Sequence, residues 1–241
     1  MRMIVLIALT WVALSMSAAA LQTPANPALD SVLRKMDAVA ARFTSAQAEF
    51  EWDRYERVID EVDDVQTGTI YYRRSENSVE MMADIRKDGP GFNELKSQPK
   101  YVLVHGDTIQ MYQPSSNQLT VYKLGNNSAE FQTYLVLGFG ASGQDLLKEF
   151  EVAYVGPATV QGVATAELQL IPKSERVRNN FKQIFLWIDL ERGISVQQKL
   201  VTPQDDYRLT KYSAIKLNEP IKNEVFQLKT NKKTQTVTPQ G

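Results

Sequence analysis

The stretch Tyr101–Leu124, YVLVHGDTIQMYQPSSNQLTVYKL, decides the fold. It holds three short runs of Val, Ile, Tyr, Thr and Leu, the residue types that strands favour. His105-Gly106-Asp107 separates the first two runs, and Gln113-Pro114-Ser115-Ser116-Asn117 separates the second from the third. The turn residues interrupt every helical period. A β-meander in mid-chain implies an antiparallel sheet, extended by further strands on both sides.

Upstream, Ala46, Ala48, Phe50 and Trp52 alternate with Gln47, Glu49, Glu51 and Asp53. That is a strand over Ala46–Tyr55 with one dry and one charged face. Gly68–Arg74 and Val79–Ile85 read as the next strands, with the acidic run Val58–Asp64 as a solvated hairpin tip and Lys87–Gly91 as an irregular link. Before them, Asn26 can cap a helix with Pro27 at its first position, and Leu29, Val32, Leu33, Met36, Val39, Ala40 and Phe43 recur at helical spacing. Downstream, Ser128 caps a predicted helix to Leu137. Gly138–Gly143 forms a hinge, and Gln144–Phe150 forms a second helix. Strands return at Glu151–Val155, Val163–Ile171, Gln183–Asp189, Ser195–Val201 and Tyr207–Leu217. Ile184–Ile188 is apolar throughout, which predicts burial on both faces or a place under a helix, and Lys173–Lys182 reads as a basic solvated linker. About ten strands in one antiparallel sheet must curl.

Met1–Ala20 reads as an export signal: Arg2, then the apolar Ile4–Leu14, then Ala18-Ala19-Ala20 before a cut after Ala20. Its apolar run is shorter than the ~20 residues of a spanning helix. The expected organisation is a signal over 1–20, one domain over 21–230 and a disordered polar tail over 231–241. Cysteine is absent, which excludes disulfides, a thiolate nucleophile, thiolate metal sites and a lipid-anchoring cysteine. The formal net charge of −1 argues against nucleic-acid binding.

His105 is the single histidine, and it lies in a tight turn. No nucleophile elbow, phosphate loop, dinucleotide fingerprint or zinc motif accompanies it, so no enzyme activity, metal or cofactor is expected. The informative residues are large apolar side chains on dry strand faces: Phe50, Trp52, Ile70, Tyr72, Met81, Ile109 and Met111. A curved sheet of this size leaves a hollow that a helical lid can cover, with Leu135, Leu137 and Phe139 as the lid's apolar residues. Met and aromatic walls suit flexible acyl tails. Counting by twos from Ile70 and Tyr72 puts Arg74 on the hollow side, where it can bond carbonyls of the lid or, as a strand-end arginine, bend out to water.

These pieces resemble, in order and spacing, the periplasmic lipoprotein carrier LolA and its relatives. The resemblance rests on the amphipathic N-terminal helix, Gly68-Thr69-Ile70-Tyr71-Tyr72-Arg73-Arg74, Val104–Pro114 with Gln118, and Asn223–Leu228. Ser75 stands where the family usually has proline, and His105 replaces an acidic turn residue. The resemblance implies an unclosed, eleven-stranded antiparallel barrel whose N-terminal and lid helices cover an apolar cavity. It implies a soluble periplasmic carrier that takes lipoproteins from an inner-membrane ABC-type transporter, shields their acyl chains and passes them to an outer-membrane receptor. Arg74 falls at the family's lid-gating arginine, although neighbouring Arg73 is an alternative, and a monomer is expected. Two other readings stand beside it: a periplasmic sensor or regulatory module that binds lipid or lipoprotein, and a carrier of free lipid or glycolipid.

Overall fold

The computed structural model describes residues 26–74, 79–125, 137 and 139–239. The expected signal 1–20, the helix predicted from Ser128 and the lid residue Leu135 lie outside them.

Helix α1 spans Pro27–Ala40, and the Asn26 side chain accepts from the amides of Ala28 and Leu29 at 3.0 and 3.3 Å. The helix stops short of Phe43, which turns inward and is 3% exposed. Six strands follow: β1 Ser45–Glu56, β2 Glu61–Arg74, β3 Val79–Gly89, β4 Lys96–His105, β5 Thr108–Gln113 and β6 Gln118–Lys123. Helix α2, Gly143–Glu149, is capped by the Ser142 hydroxyl, which accepts from the Asp145 amide at 2.9 Å. Then come β7 Phe150–Val160, β8 Val163–Pro172, the short α3 Glu175–Arg178, β9 Gln183–Asp189, β10 Ser195–Val201, β11 Tyr207–Leu217 and β12 Gln235–Val237.

All twelve strands form one unclosed sheet, ordered β12-β6-β5-β4-β3-β2-β1-β11-β10-β9-β8-β7. It consists of two meanders, β1–β6 and β7–β11, joined where β1 pairs with β11. Every pairing is antiparallel except β12 with β6, which is parallel. The fold is the expected incomplete barrel with a helical lid, with this added strand.

Several local expectations are corrected. Within the expected polar tail, Gln235–Val237 extend the sheet edge and the Gln235 amide bonds Asn117 O at 3.0 Å. Glu61–Asp64 belong to β2 rather than to a loop, since pairing with β1 and the Arg54–Asp63 ion pair (2.6 Å) hold them extended. The Lys173–Lys182 linker contains α3. In β9, Ile184, Leu186 and Ile188 are buried against α1, while Phe185 and Trp187 on the other face are half-buried, so of the two arrangements expected the strand takes the one under a helix.

The main core lies on the sheet's inner face. Val32, Leu33 and Met36 of α1 pack with Leu146 of α2 onto Ala166, Leu168 and Leu170 of β8 and Ile184, Leu186 and Ile188 of β9. Gly143 allows the helices to meet, because a Cβ there would come within 2.7 Å of Leu33 Cβ. The Gln144 amide adds a bond to Asp37 Oδ1 at 3.2 Å.

Candidate functional site

The strand order dictates where the site lies. Strand β6 is near one edge of the sheet and β7 is the other edge, so the chain between Lys123 and Phe150 must traverse the whole sheet. Its described residues 137 and 139–141 lie on the inner face. Leu137 and Ala141 join the core beneath α1, and Phe139 joins a second inner cluster with Phe43, Ala46, Ala48, Phe50, Ile70, Tyr72 and Tyr212. The lid is therefore a crossover required by two meanders that meet at β1 and β11.

Strand register arranges the predicted wall into two rows. Ala48, Ile70, Ala83, Val102 and Met111 lie directly opposite one another across β1–β5, as do Ala46, Tyr72, Met81, Val104 and Ile109. Directly paired residues share a face. Five of the seven wall residues named from sequence lie in these rows, Phe50 belongs to the inner cluster and Trp52 packs against it, though the seven are not buried to equal depth. Phe50, Ile70 and Tyr72 are buried core. Trp52 and Met81 pack against that cluster while partly exposed, and Ile109 and Met111 are half-buried. Arg208 stacks over the Trp52 ring at 5.7 Å.

Phe139 is the deepest lid residue, at 0% exposure. Its ring sits 5.2 Å from Tyr72 and 4.9 Å from Tyr212, both in the tilted or edge-on arrangements aromatic pairs prefer. The two tyrosine hydroxyls bond each other. Burial pushes Tyr72 well above the usual tyrosine range and Tyr212 up to about 12.

Arg74 ties the edge of this arrangement together. Its guanidinium donates from Nη1 to Ala40 O, at the end of α1, and from Nη2 to Gly140 O, one residue past Phe139, each at 2.9 Å. The last carbonyls of a helix lack intrahelical donors and favour a cation. The guanidinium also lies 5.3 Å from the Phe43 ring centre. Gly140 has φ +89, and a Cβ there would meet Phe43 Cδ1 at 2.7 Å. Adjacent strand residues face opposite ways, so Arg73 points outward. There it binds Glu80 Oε2 through Nε at 2.8 Å and Asn223 Oδ1 through Nη1 at 2.6 Å. Of the two arginines, Arg74 is the one that reaches the lid segment.

His105 sits on the outer face, with Nδ1 2.7 Å from Glu80 Oε1. It joins the Arg73–Glu80 cluster that fastens the C-terminal segment, far from the inner wall. Among the described residues no group of His, Cys, Asp or Glu is placed to hold a metal ion. The sequence reading overlooked the outer face entirely. Met82 and Leu103 of the sheet form a third cluster there with Phe226, and Tyr71, Tyr101, Val225 and Leu228 pack around it. The signal available was apolar residues at positions of the opposite parity, Tyr71, Met82 and Leu103, in strands whose other face is already dry.

No family model and no curated protein matches the chain. Solved structures do. An uncharacterised conserved protein from Thermus thermophilus superposes with a TM-score of 0.50 at 12% identity, covering 88% of this chain and 96% of that one. MucB superposes with a TM-score of 0.51 at 14% identity, covering 88% of this chain and 66% of MucB. The chain shares its fold with both.

Proposed function

We propose that the protein is a periplasmic carrier of acylated proteins. After removal of residues 1–20 it takes lipoproteins from an inner-membrane ABC-type transporter, shelters their acyl chains on the inner face of β1–β5 and delivers them to an outer-membrane receptor. The observation that carries this reading is the half-buried wall of Trp52, Met81, Ile109 and Met111 beside a lid segment latched by Arg74. The LolA-like order of motifs supports the same reading. In this reading Phe139 and Leu137 are plugs that withdraw when cargo enters, and Arg74 sets the cost of withdrawal. Arg74 is itself exposed, so solvent reduces each of its two bonds to roughly 1 kcal/mol, a cost small enough to reverse.

The test has two stages. Displacement of a fluorescent fatty acid and native mass spectrometry of protein released gently from its own cells should show acyl binding and identify the cargo. A protein indifferent to acyl probes sinks the proposal, and a free lipid or glycolipid as sole cargo replaces lipoprotein transfer with lipid transfer. Arg74→Leu should retain acyl binding but slow hand-over to an acceptor membrane. Equal transfer by both proteins removes the latch role.

A further inference from the structure

The outer face holds a cavity that the carrier reading does not use. It has a volume of about 460 Å³ and lies between β2–β5 and the segment Lys222–Lys229. That is within the ~300–1,000 Å³ usual for small-molecule sites. Its floor is a cross-strand patch. Tyr71 lies opposite Met82, and Asp84 lies opposite Tyr101, which is itself opposite Tyr112. The Tyr101 and Tyr112 rings are 6.4 Å apart and within 21° of parallel, so they form an aromatic shelf. Val225 and Leu228 supply apolar roof, and Lys222, Glu224, Gln227 and Lys229 line the rest.

This lining selects a chemistry. An acyl chain needs an unbroken apolar wall, and here polar side chains interrupt it. Two carboxylates, Asp84 (3.7 Å from Arg86 Nε, with lone pairs left to accept) and Glu224, face two ammonium groups, Lys222 and Lys229, so no single sign of charge lines the cavity. Flat aromatic faces beside carboxylates, an amide and ammonium groups match a neutral ring with C–H faces and hydroxyl edges. We propose that the outer-face cavity binds a neutral saccharide unit, with Tyr71 and Tyr101 against the ring faces and Asp84 and Glu224 accepting from its hydroxyls. Access is tied to the C-terminal segment. Arg73 holds that segment down through Asn223 and through the Phe226 ring, 4.3 Å from its guanidinium. The site is separate from the inner wall, because Tyr71 and Tyr72 face opposite sides of β2.

Saturation-transfer NMR and calorimetry on the full chain, with maltose, cellobiose and chitobiose as probes, test this. Dodecanoate and a proline-containing decapeptide serve as competing classes. Saturable binding of at least one disaccharide is expected. Tyr101→Ala and Asp84→Asn should each weaken it about tenfold, equivalent to ~1.4 kcal/mol. Tyr101→Phe, which keeps the ring and the packing, should lose less than Tyr101→Ala. Val58→Ser, at the 94% exposed tip between β1 and β2, should change nothing. No saturable disaccharide binding overturns the proposal, as does binding unmoved by the Tyr101 and Asp84 variants. Dodecanoate or the peptide occupying this cavity in place of the disaccharide overturns it too. The acyl-binding assay on the inner face reads out independently of all these results.

Discussion

The two meanders of the sheet use one inner face in opposite ways. Under β8 and β9 it is filled: α1 and α2 press onto Leu168, Leu170, Ile184 and Leu186, each 0% exposed. Under β3–β5 the same face presents Met81, Val102, Ile109 and Met111, all partly exposed. Both halves are strand-alternating, and both are apolar inward. The difference lies in what each half receives from the rest of the chain. Among the described residues, the β7–β11 half receives two helices, and the β1–β6 half receives Phe43 and Phe139, which bury β1–β2 and parts of β3 but leave Met81, Val102, Ile109 and Met111 partly open. Close packing is therefore concentrated in one half, and the other is the half to which the proposed carrier role assigns the ligand.

The largest expected effect tests this asymmetry directly. Leu186→Ala leaves a cavity in a dry, close-packed core and should cost ~2–5 kcal/mol in urea unfolding. Met111→Ala removes a side chain of similar size from a half-buried wall and should cost roughly 1 kcal/mol or less, because solvent already reaches part of it. The two should invert in ligand binding, with Met111→Ala weakening acyl-probe uptake and Leu186→Ala affecting it only through stability. Equal destabilisation would mean that the β3–β5 wall is as fully packed as the other half, and the hollow would lose its physical basis.

An intermediate effect is expected at alkaline pH, at the contact between the lid and the junction of the halves. Tyr72 and Tyr212 have folded values raised above 10 by burial, Tyr212 to about 12. A raised value means that the unfolded chain releases its protons first. The stabilisation is complete below the unfolded value near 10 and is lost as pH rises through the folded values. Unfolding midpoints should hold steady to about pH 9.5 and fall beyond it. Tyr72→Phe with Tyr212→Phe should flatten most of that decline while keeping the rings around Phe139. Tyr55 and Tyr207, also raised, should contribute a smaller residual slope. An unaltered decline in the double variant would place the alkaline transition elsewhere.

The features legible in the sequence were those carried by burial. The alternation through Phe50 and Trp52, the turns around the β4–β6 meander and the Asn26-Pro27 helix start each leave a local trace, because one face or one cap is satisfied within a few residues. The inner-facing parity of Arg74 followed by counting. The features missed depend on partners far away in sequence. Strand β12 has three exposed residues and no apolar pattern, and it is held by pairing with β6 and by Thr234 Oγ1 donating to Asn117 Oδ1 at 2.8 Å. Glu61–Asp64 read as a loop because acids disfavour strands in isolation, and the compensating Arg54 lies on the neighbouring strand. The outer-face cavity needs Val225, Phe226 and Leu228 to close over Met82 and Leu103, and no local period announces that meeting.

The smallest expected effect concerns the seam itself. Along the β1–β11 pairing the register steps between Gln47 and Glu49, which face Lys216 and Ser213 respectively. Ala214 lies in the resulting bulge with φ 48, a left-handed conformation that costs an L-residue with a Cβ about 1–2 kcal/mol. Glycine adopts it freely but loses more backbone entropy on folding, ~0.4–1 kcal/mol. Relief of strain exceeds the entropy loss, so Ala214→Gly should stabilise the protein by a few tenths to ~1 kcal/mol. The side chain is exposed, so no core contact is lost. Because this seam joins the filled half to the open one, the gain should appear equally in probes of either half, such as Trp187 and Trp52 fluorescence during urea unfolding. Coincident shifts would show that the two halves, however differently packed, unfold as one cooperative unit. Separated transitions would show that the open half melts alone, and the division in packing would then be a division between folding units as well.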